Sequence, residues 1–344
     1  MNACKSAYIC TRKKTMHWRE IDIIKGVAML LVMLGHSFLQ QPFCSLDVAP
    51  WSRWLNDAVY SFHMPLFFVV SGFLYNSGKK KPVREAVRGK AVRLFIPYLC
   101  VTMMVMTAKL FSPSGMASAH SMSGDLADSL KFLFLDCGNR WFVYVLFIIS
   151  VVAIIAQSVL RNRAARMLLM IVLSVSVSVE ASGILVIDLT MRFFPFFLMG
   201  MGLREHYGYY CRLMESRWFI AISAVAFSVM NVLLVPQLSV IACFRYVLMP
   251  ITGVNAVWTL CYYLSKVQAE NVAMRYLLYV GKYSLQFYLL LFPVAVIGYL
   301  LGVVLHVTDV ALITVLMFVG QIISITALVE VTRRIQGLKY PLGY

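Results

Sequence analysis

The residues best suited to chemistry stand inside an apolar stretch. Asp22, Lys25 and His36 fall in a run that opens Ile21-Asp22-Ile23-Ile24-Lys25-Gly26 and closes Gly35-His36. An ionisable group in such a run is costly, so each is a functional candidate by default. At about 3.6 residues per turn, Lys25 and His36 fall within about 20° of one helical face, and Asp22 within about 40° of His36. The helical rise sets Lys25 and His36 roughly 16 Å apart, so Asp22 cannot orient His36 within one chain. Imidazole, with an unperturbed pKa of about 6.5, is the natural general base near neutral pH. Plainer roles stand beside this one: His36 capping a helix end or bridging two spans, and Asp22 with Lys25 as an ion-paired anchor at the membrane surface. A second segment, Ser61-Phe62-His63-Met64-Pro65, puts His63 where it could face His36 or make a structural hydrogen bond at the outer interface. Ser71 and Gly72 follow, small residues suited to close helix packing.

The elements that must hold these residues follow from composition. The 344 residues are 61% hydrophobic and only 13% charged, whereas soluble domains run about 45–50% apolar and about 25% charged. A soluble enzyme, a disordered chain and a disulfide-stapled secreted module are all excluded. The expectation is an all-α polytopic membrane protein, since about 20 apolar residues cross a bilayer as a helix. Ten spans can be marked: 21–39, 58–76, 92–111, 141–160, 167–187, 191–206, 217–235, 243–264, 284–305 and 310–331. The sixth is the weakest, being short and carrying Pro195. No small-residue cleavage site follows the first apolar run, which reads as a retained span and not a signal peptide. The domain reading is a basic tail over 1–20, one membrane-embedded domain over 21–332, and a short tail over 333–344. The eight Cys form no CxxC or zinc spacing, and no metal is expected.

The chain carries 31 Lys and Arg against 15 Asp and Glu, a net charge of +16. In a soluble chain that balance would suggest nucleic acid. Here 25 of the 31 basic residues fall on alternate connections and both tails, as ten spans with cytoplasmic termini require. The basicity is therefore read as orientation, and no nucleic-acid partner is expected.

Several segments, in order, carry a likeness to a known family. They are Lys25 to His36, the stretch Phe67–Leu74, Arg93-Leu94-Phe95-Ile96-Pro97-Tyr98, Arg140-Trp141-Phe142-Val143-Tyr144, Pro195–Gly200, and Tyr279–Leu285. Together they resemble the acyltransferase-3 family of integral-membrane O-acyltransferases. Within it, the Ile-Asp-x-x-Lys-Gly start and Phe-His-Met-Pro are similar to the branch of fucose 4-O-acetylases and surface polysaccharide O-acetyltransferases. One position departs: after Ser-Leu-x-x-Tyr-Leu-Leu many members carry a His, and here Leu291 stands there.

The resemblance implies a donor, acyl-CoA and foremost acetyl-CoA, arriving from the cytoplasm, and a sugar hydroxyl as acceptor. His36 would take the acceptor's proton or be acylated itself, and His63 would orient it or relay the proton. Lys25 and Arg93, with the basic cluster Lys79–Arg93, would meet the CoA phosphates, although the cluster also reads as plain positive-inside anchoring. Arg140 and Trp141 would bind the acceptor, although an interfacial Trp belt explains Trp141 equally well. The expected partners are the lipid bilayer, acyl-CoA and a carbohydrate, and the expected location is a bacterial inner membrane. The alternative is a transporter or glycan exporter without acyl chemistry. No inverted repeat of the kind transporters often show is visible.

Overall fold

The computed structural model describes residues 19–38, 49–75, 82–110, 126–159, 184–231, 247–267 and 271–344. These residues are helical, with no strand among them. In chain order the helices are α1 (Arg19–Phe38), α2 (Pro50–Phe73), α3 (Val83–Lys90), α4 (Ile96–Leu110), α5 (Leu126–Lys131), α6 (Trp141–Val159), α7 (Leu185–Glu205), α8 (Tyr207–Met214), α9 (Arg217–Val229) and α10 (Met249–Lys266). They continue with α11 (Val272–Lys282), α12 (Ser284–Leu289), α13 (Pro293–Tyr299), α14 (Val310–Arg334) and α15 (Gln336–Lys339). A π-helical turn, Ala91–Phe95, joins α3 to α4 without a break.

Five of the described helical stretches are long and apolar enough to cross a membrane: Arg19–Phe38, Val83–Thr107, Trp141–Val159, Leu185–Glu205 and Val310–Arg334. Local signals set their ends. Glu20 and Asp22 lie in the first turn of α1, where acidic residues suit the positive end of the helix dipole. The Asp309 carboxylate caps α14 by accepting from the Leu312 N–H at 2.7 Å, satisfying one of the helix's orphan donors. Pro250 and Pro293 stand in the first turns of α10 and α13, where a missing N–H costs nothing.

Two expected spans differ from the structure. The sixth is not short: α7 runs 21 residues and carries Pro195 inside it, as membrane helices tolerate where neighbours satisfy the freed carbonyl. The ninth, 284–305, is not one helix. It breaks at Leu290–Phe292 between α12 and α13, where Pro293 has no N–H to donate to the preceding turn and so starts a new helix. Most of the fifth expected span, 167–187, and the stretch 232–246 lie outside the described residues, as do Lys79, Lys80 and Lys81.

The chain divides into two compact units. The first comprises Met1–Ala28, Ser61–Tyr75 and Phe196–Lys282. Its helices meet with backbones nearly touching. A Cβ added at Gly72 would fall on the Phe197 carbonyl oxygen, and one at Gly200 on that of Val69. Gly26 and Gly281 form a second reciprocal pair, facing the carbonyls of Leu277 and Asp22. Small residues permit such approaches where lipid offers no hydrophobic gain for helix association. Phe73 packs edge-on against Tyr207 and Trp258, with ring centroids 5.2 and 5.3 Å away. Polar groups pair: the Tyr207 hydroxyl donates to the buried Glu20 carboxylate, and the half-buried Tyr210 hydroxyl to Asn255 Oδ1 at 2.6 Å. In the turn between α8 and α9, the Tyr262 hydroxyl and the Lys266 ammonium hold the Glu215 carboxyl below its usual pKa.

The second unit comprises Met29–Tyr60, Asn76–Pro195 and Tyr283–Tyr344. An aromatic file runs through it, with Tyr98 stacked on Tyr144 at 5.1 Å and Phe95 on Phe147 at 5.0 Å. The C-terminal residues close over α12: Gln286 Nε2 donates to the carbonyls of Leu342 and Gly343, each at 3.1 Å.

Candidate functional site

The second unit contains a small recess lined by His36, Arg140, Tyr288, Leu289, Leu291, Phe292 and Val294. Three pieces of chain build it: the end of α1, the turn before α6, and the segment 288–294. His36 comes from the last turn of α1 and presents its ring edge-on to Tyr60, centroids 6.5 Å apart. Its neighbour Ser37 is fully buried and accepts from Gln321 Nε2 of α14 at 2.9 Å. That bond fixes the end of α1 against α14.

Arg140 reaches the recess through an unusual turn. Cys137 and Gly138 both adopt left-handed backbone, with φ of 54° and 49°. Only glycine does so without cost, so Cys137 is held there by its surroundings. Its N–H donates to the Phe132 carbonyl at 2.8 Å, and the Tyr98 hydroxyl donates to the Leu133 carbonyl at 2.5 Å. The turn ends the preceding π-helical stretch, Phe132–Asp136, and starts a short 3-10 turn, Gly138–Arg140, that leads into α6. Arg140 is only 8% exposed. Its Nε donates to Thr102 Oγ1 at 3.2 Å, which orients the guanidinium and leaves its Nη groups to face other partners.

Tyr288, on α12, is the residue that sequence reasoning missed. It is buried, its oxygen accepts from the Phe142 N–H at 3.4 Å, and its ring meets that of Phe142 edge-on at 5.3 Å. Of the four apolar lining residues, Leu289 ends α12, Leu291 and Phe292 lie in the break, and Val294 lies in the first turn of α13. Irregular backbone at membrane depth is tolerated where it is buried in protein or lines a cavity. The available signal was a lone hydroxyl in the apolar run Phe287–Phe292, five residues before a proline.

The structure thus brings His36 and Arg140 together. Trp141, next in sequence, is half-buried and stacks on Phe193 at 5.2 Å, so one neighbour already covers part of its ring. Leu291 lies in the recess wall, so the departure from the family pattern falls at the site itself. His63 belongs to the first unit and is 3% exposed. Lys25 also belongs to that unit and pairs with Asp22 at 2.6 Å. Arg93 is exposed on the π-helical turn between α3 and α4. Chemically, the recess offers one imidazole base, one buried cation and one phenol beside an apolar wall, a set suited to taking a proton while negative charge develops nearby.

The chain is 34% identical over 127 residues to the nodulation protein NolL of Sinorhizobium fredii, a match that covers 36% of this chain and 32% of that protein. It is 30% identical over 131 residues to the nodulation protein NolL of Mesorhizobium japonicum, covering 38% of this chain and 33% of that one. The match thus spans about a third of the length of these curated relatives. No solved structure is significantly similar to it. Residues 18–329 match a family profile described as an acyltransferase domain, a stretch that takes in His36, Arg140 and Tyr288 alike, and the chain belongs to this acyltransferase-3 family.

Proposed function

We propose that the protein is a membrane O-acyltransferase that moves an acyl group, acetyl foremost, from cytoplasmic acyl-CoA to a hydroxyl of a surface polysaccharide or lipid-linked sugar. The observation that carries the reading is the recess in which His36 and Arg140 meet, within a chain of the acyltransferase-3 family. A sugar hydroxyl is a poor nucleophile at neutral pH, so a base must take its proton as it attacks the thioester. His36 is that base. Arg140 positions the acceptor beside it, with Trp141 at the edge of the acceptor site. The apolar residues Leu289, Leu291, Phe292 and Val294 flank the acyl group. Lys25 and Arg93 are each assigned to the CoA phosphates, and His63 keeps the relay role that the family likeness gives it. The protein is assigned to a bacterial inner membrane, with ten spans, both termini cytoplasmic, and 21–332 as its membrane-embedded domain.

The test is transfer itself. Inverted membrane vesicles containing the protein receive acetyl-CoA labelled in the acetyl group, and label is sought in glycan. Mass analysis of surface polymers from a deletion strain then looks for the loss of one acyl mass. Label in glycan that depends on the protein supports acyl transfer. An unchanged glycan mass profile together with uptake or export of an unmodified glycan would instead support a transporter.

A further inference from the structure

We propose that Tyr288 is a catalytic residue whose phenolic O–H donates a hydrogen bond to the acyl oxygen as negative charge gathers there. This rests on the acyl-transfer reading above.

The geometry supplies the reasons. Tyr288 lines the same recess as His36 and Arg140. Its oxygen accepts from the Phe142 N–H, and a bond received by a hydroxyl oxygen polarises its O–H and strengthens it as a donor. Phe142 lies two residues beyond Arg140, on the same entry into α6, so the phenol and the guanidinium are referenced to one piece of backbone. The Arg140 guanidinium is itself held through Nε by Thr102. A donor and a cation fixed before the reaction, in a buried site, need no reorganisation as charge develops, which is what makes such groups effective. The position of Tyr288 at the end of a broken helix adds a reason for the break: it lets residues of one apolar segment turn into a cavity.

The step balances as follows. The acceptor oxygen forms a bond to the thioester carbonyl carbon while its proton passes to His36. The carbonyl π electrons move to the acyl oxygen, which Tyr288 O–H and Arg140 stabilise. The oxyanion collapses, the C=O bond re-forms, the C–S bond breaks, and the CoA thiolate leaves with the proton from the His36 imidazolium. Tyr288 donates a hydrogen bond throughout and loses no proton.

The test uses the full-length protein in inverted vesicles with labelled acetyl-CoA. Tyr288→Phe keeps the ring and removes the donor. Turnover is expected to fall about 100-fold, with the apparent KM for acetyl-CoA and the affinity for an S-ethyl thioether of CoA, which lacks the thioester carbonyl, both unchanged. A fall of less than tenfold overturns the proposal, and so does an equal loss of thioether binding, which would mark a structural role. If Tyr288→Phe does not accumulate in the membrane, 3-fluorotyrosine at position 288 replaces it, keeping the shape and strengthening the donor. A change in turnover of twofold or more then supports the proposal, and unchanged turnover overturns it. A wild-type protein that transfers no label brings down the acyl-transfer reading, and this proposal with it. An active wild type with an equally active Tyr288→Phe brings down this proposal alone.

Discussion

Gln321 Nε2 donates to Ser37 Oγ at 2.9 Å, and both side chains are fully buried. Ser37 Oγ in turn donates to the Met33 carbonyl at 2.9 Å. One amide on α14 therefore holds the turn of α1 that carries His36. Replacing Gln321 with Leu leaves the Ser37 hydroxyl without this donor and loosens the base. The expected cost in stability is about 1 kcal/mol. The sharper readout is kinetic: turnover falls several-fold while the KM for acyl-CoA holds, measured by initial rates in vesicles. A parallel rise in KM would mean that the bond merely holds the fold.

His36→Ala is expected to reduce transfer by about 10²–10⁴-fold, the usual worth of a general base. Membrane insertion and protein level, followed by immunoblot of the membrane fraction, should not change. An active and abundant His36→Ala protein would remove the base from the mechanism.

Lys25→Ala and Arg93→Ala should each raise the apparent KM for acyl-CoA with little change in turnover, since a phosphate contact made equally in ground and transition states affects binding alone. Added salt should narrow the difference between the exposed Arg93 variant and wild type more than for Lys25, because exposed charges are screened more readily. CoA dependence unchanged in both variants would leave the basic residues as topology signals only.

Leu291→Ala enlarges the recess beside the acyl group. The ratio of kcat/KM for butyryl-CoA over acetyl-CoA should rise about tenfold or more, in keeping with the worth of one or two methylenes in an apolar pocket. Competition between the two donors in one reaction gives the ratio directly. An unaltered ratio would place the acyl chain elsewhere.

Gly281→Leu drives a branched side chain into the Asp22 carbonyl. Overpacking of this kind costs about 1–3 kcal/mol, occasionally more, and here the obstacle is backbone. A lower thermal midpoint in detergent is expected. The same substitution at Gly89, where a Cβ would meet nothing within 4 Å, should leave the midpoint in place and serves as the control.

Much of this was legible in the residues. His36 stood out because an imidazole at the end of an apolar run is costly, whereas Arg140, at the mouth of a span, was marked by the family likeness. Gly72 was readable as a close-packing residue, and the structure sets it against Phe197. Tyr288 offered only a lone hydroxyl in an apolar run, a signal too common among tyrosines of membrane helices to mark it without its neighbours in space. The break at Leu290–Phe292 was hidden for a related reason. Hydropathy reports the cost of leaving water, which is the same for a straight helix and a broken one. Only Pro293 hinted at it, while Pro195 and Pro65 sit inside unbroken helices. Lys25 gives the opposite lesson: its helical spacing from Asp22 was read as an ion pair, and the pair is present.

The six-residue length of α12 bears on the order in which the protein comes together. A helix that short cannot hold itself in water or at a membrane surface, since nucleation alone outweighs the few bonds it closes. It depends on Gln286 reaching the carbonyls of Leu342 and Gly343, more than fifty residues further along the chain. During synthesis, then, the wall that bears Tyr288 has no lasting shape until Leu342 and Gly343 have been made and have folded back onto Gln286. The first span can enter the bilayer early with His36 already in place, yet the recess around it waits for residues made some three hundred positions later.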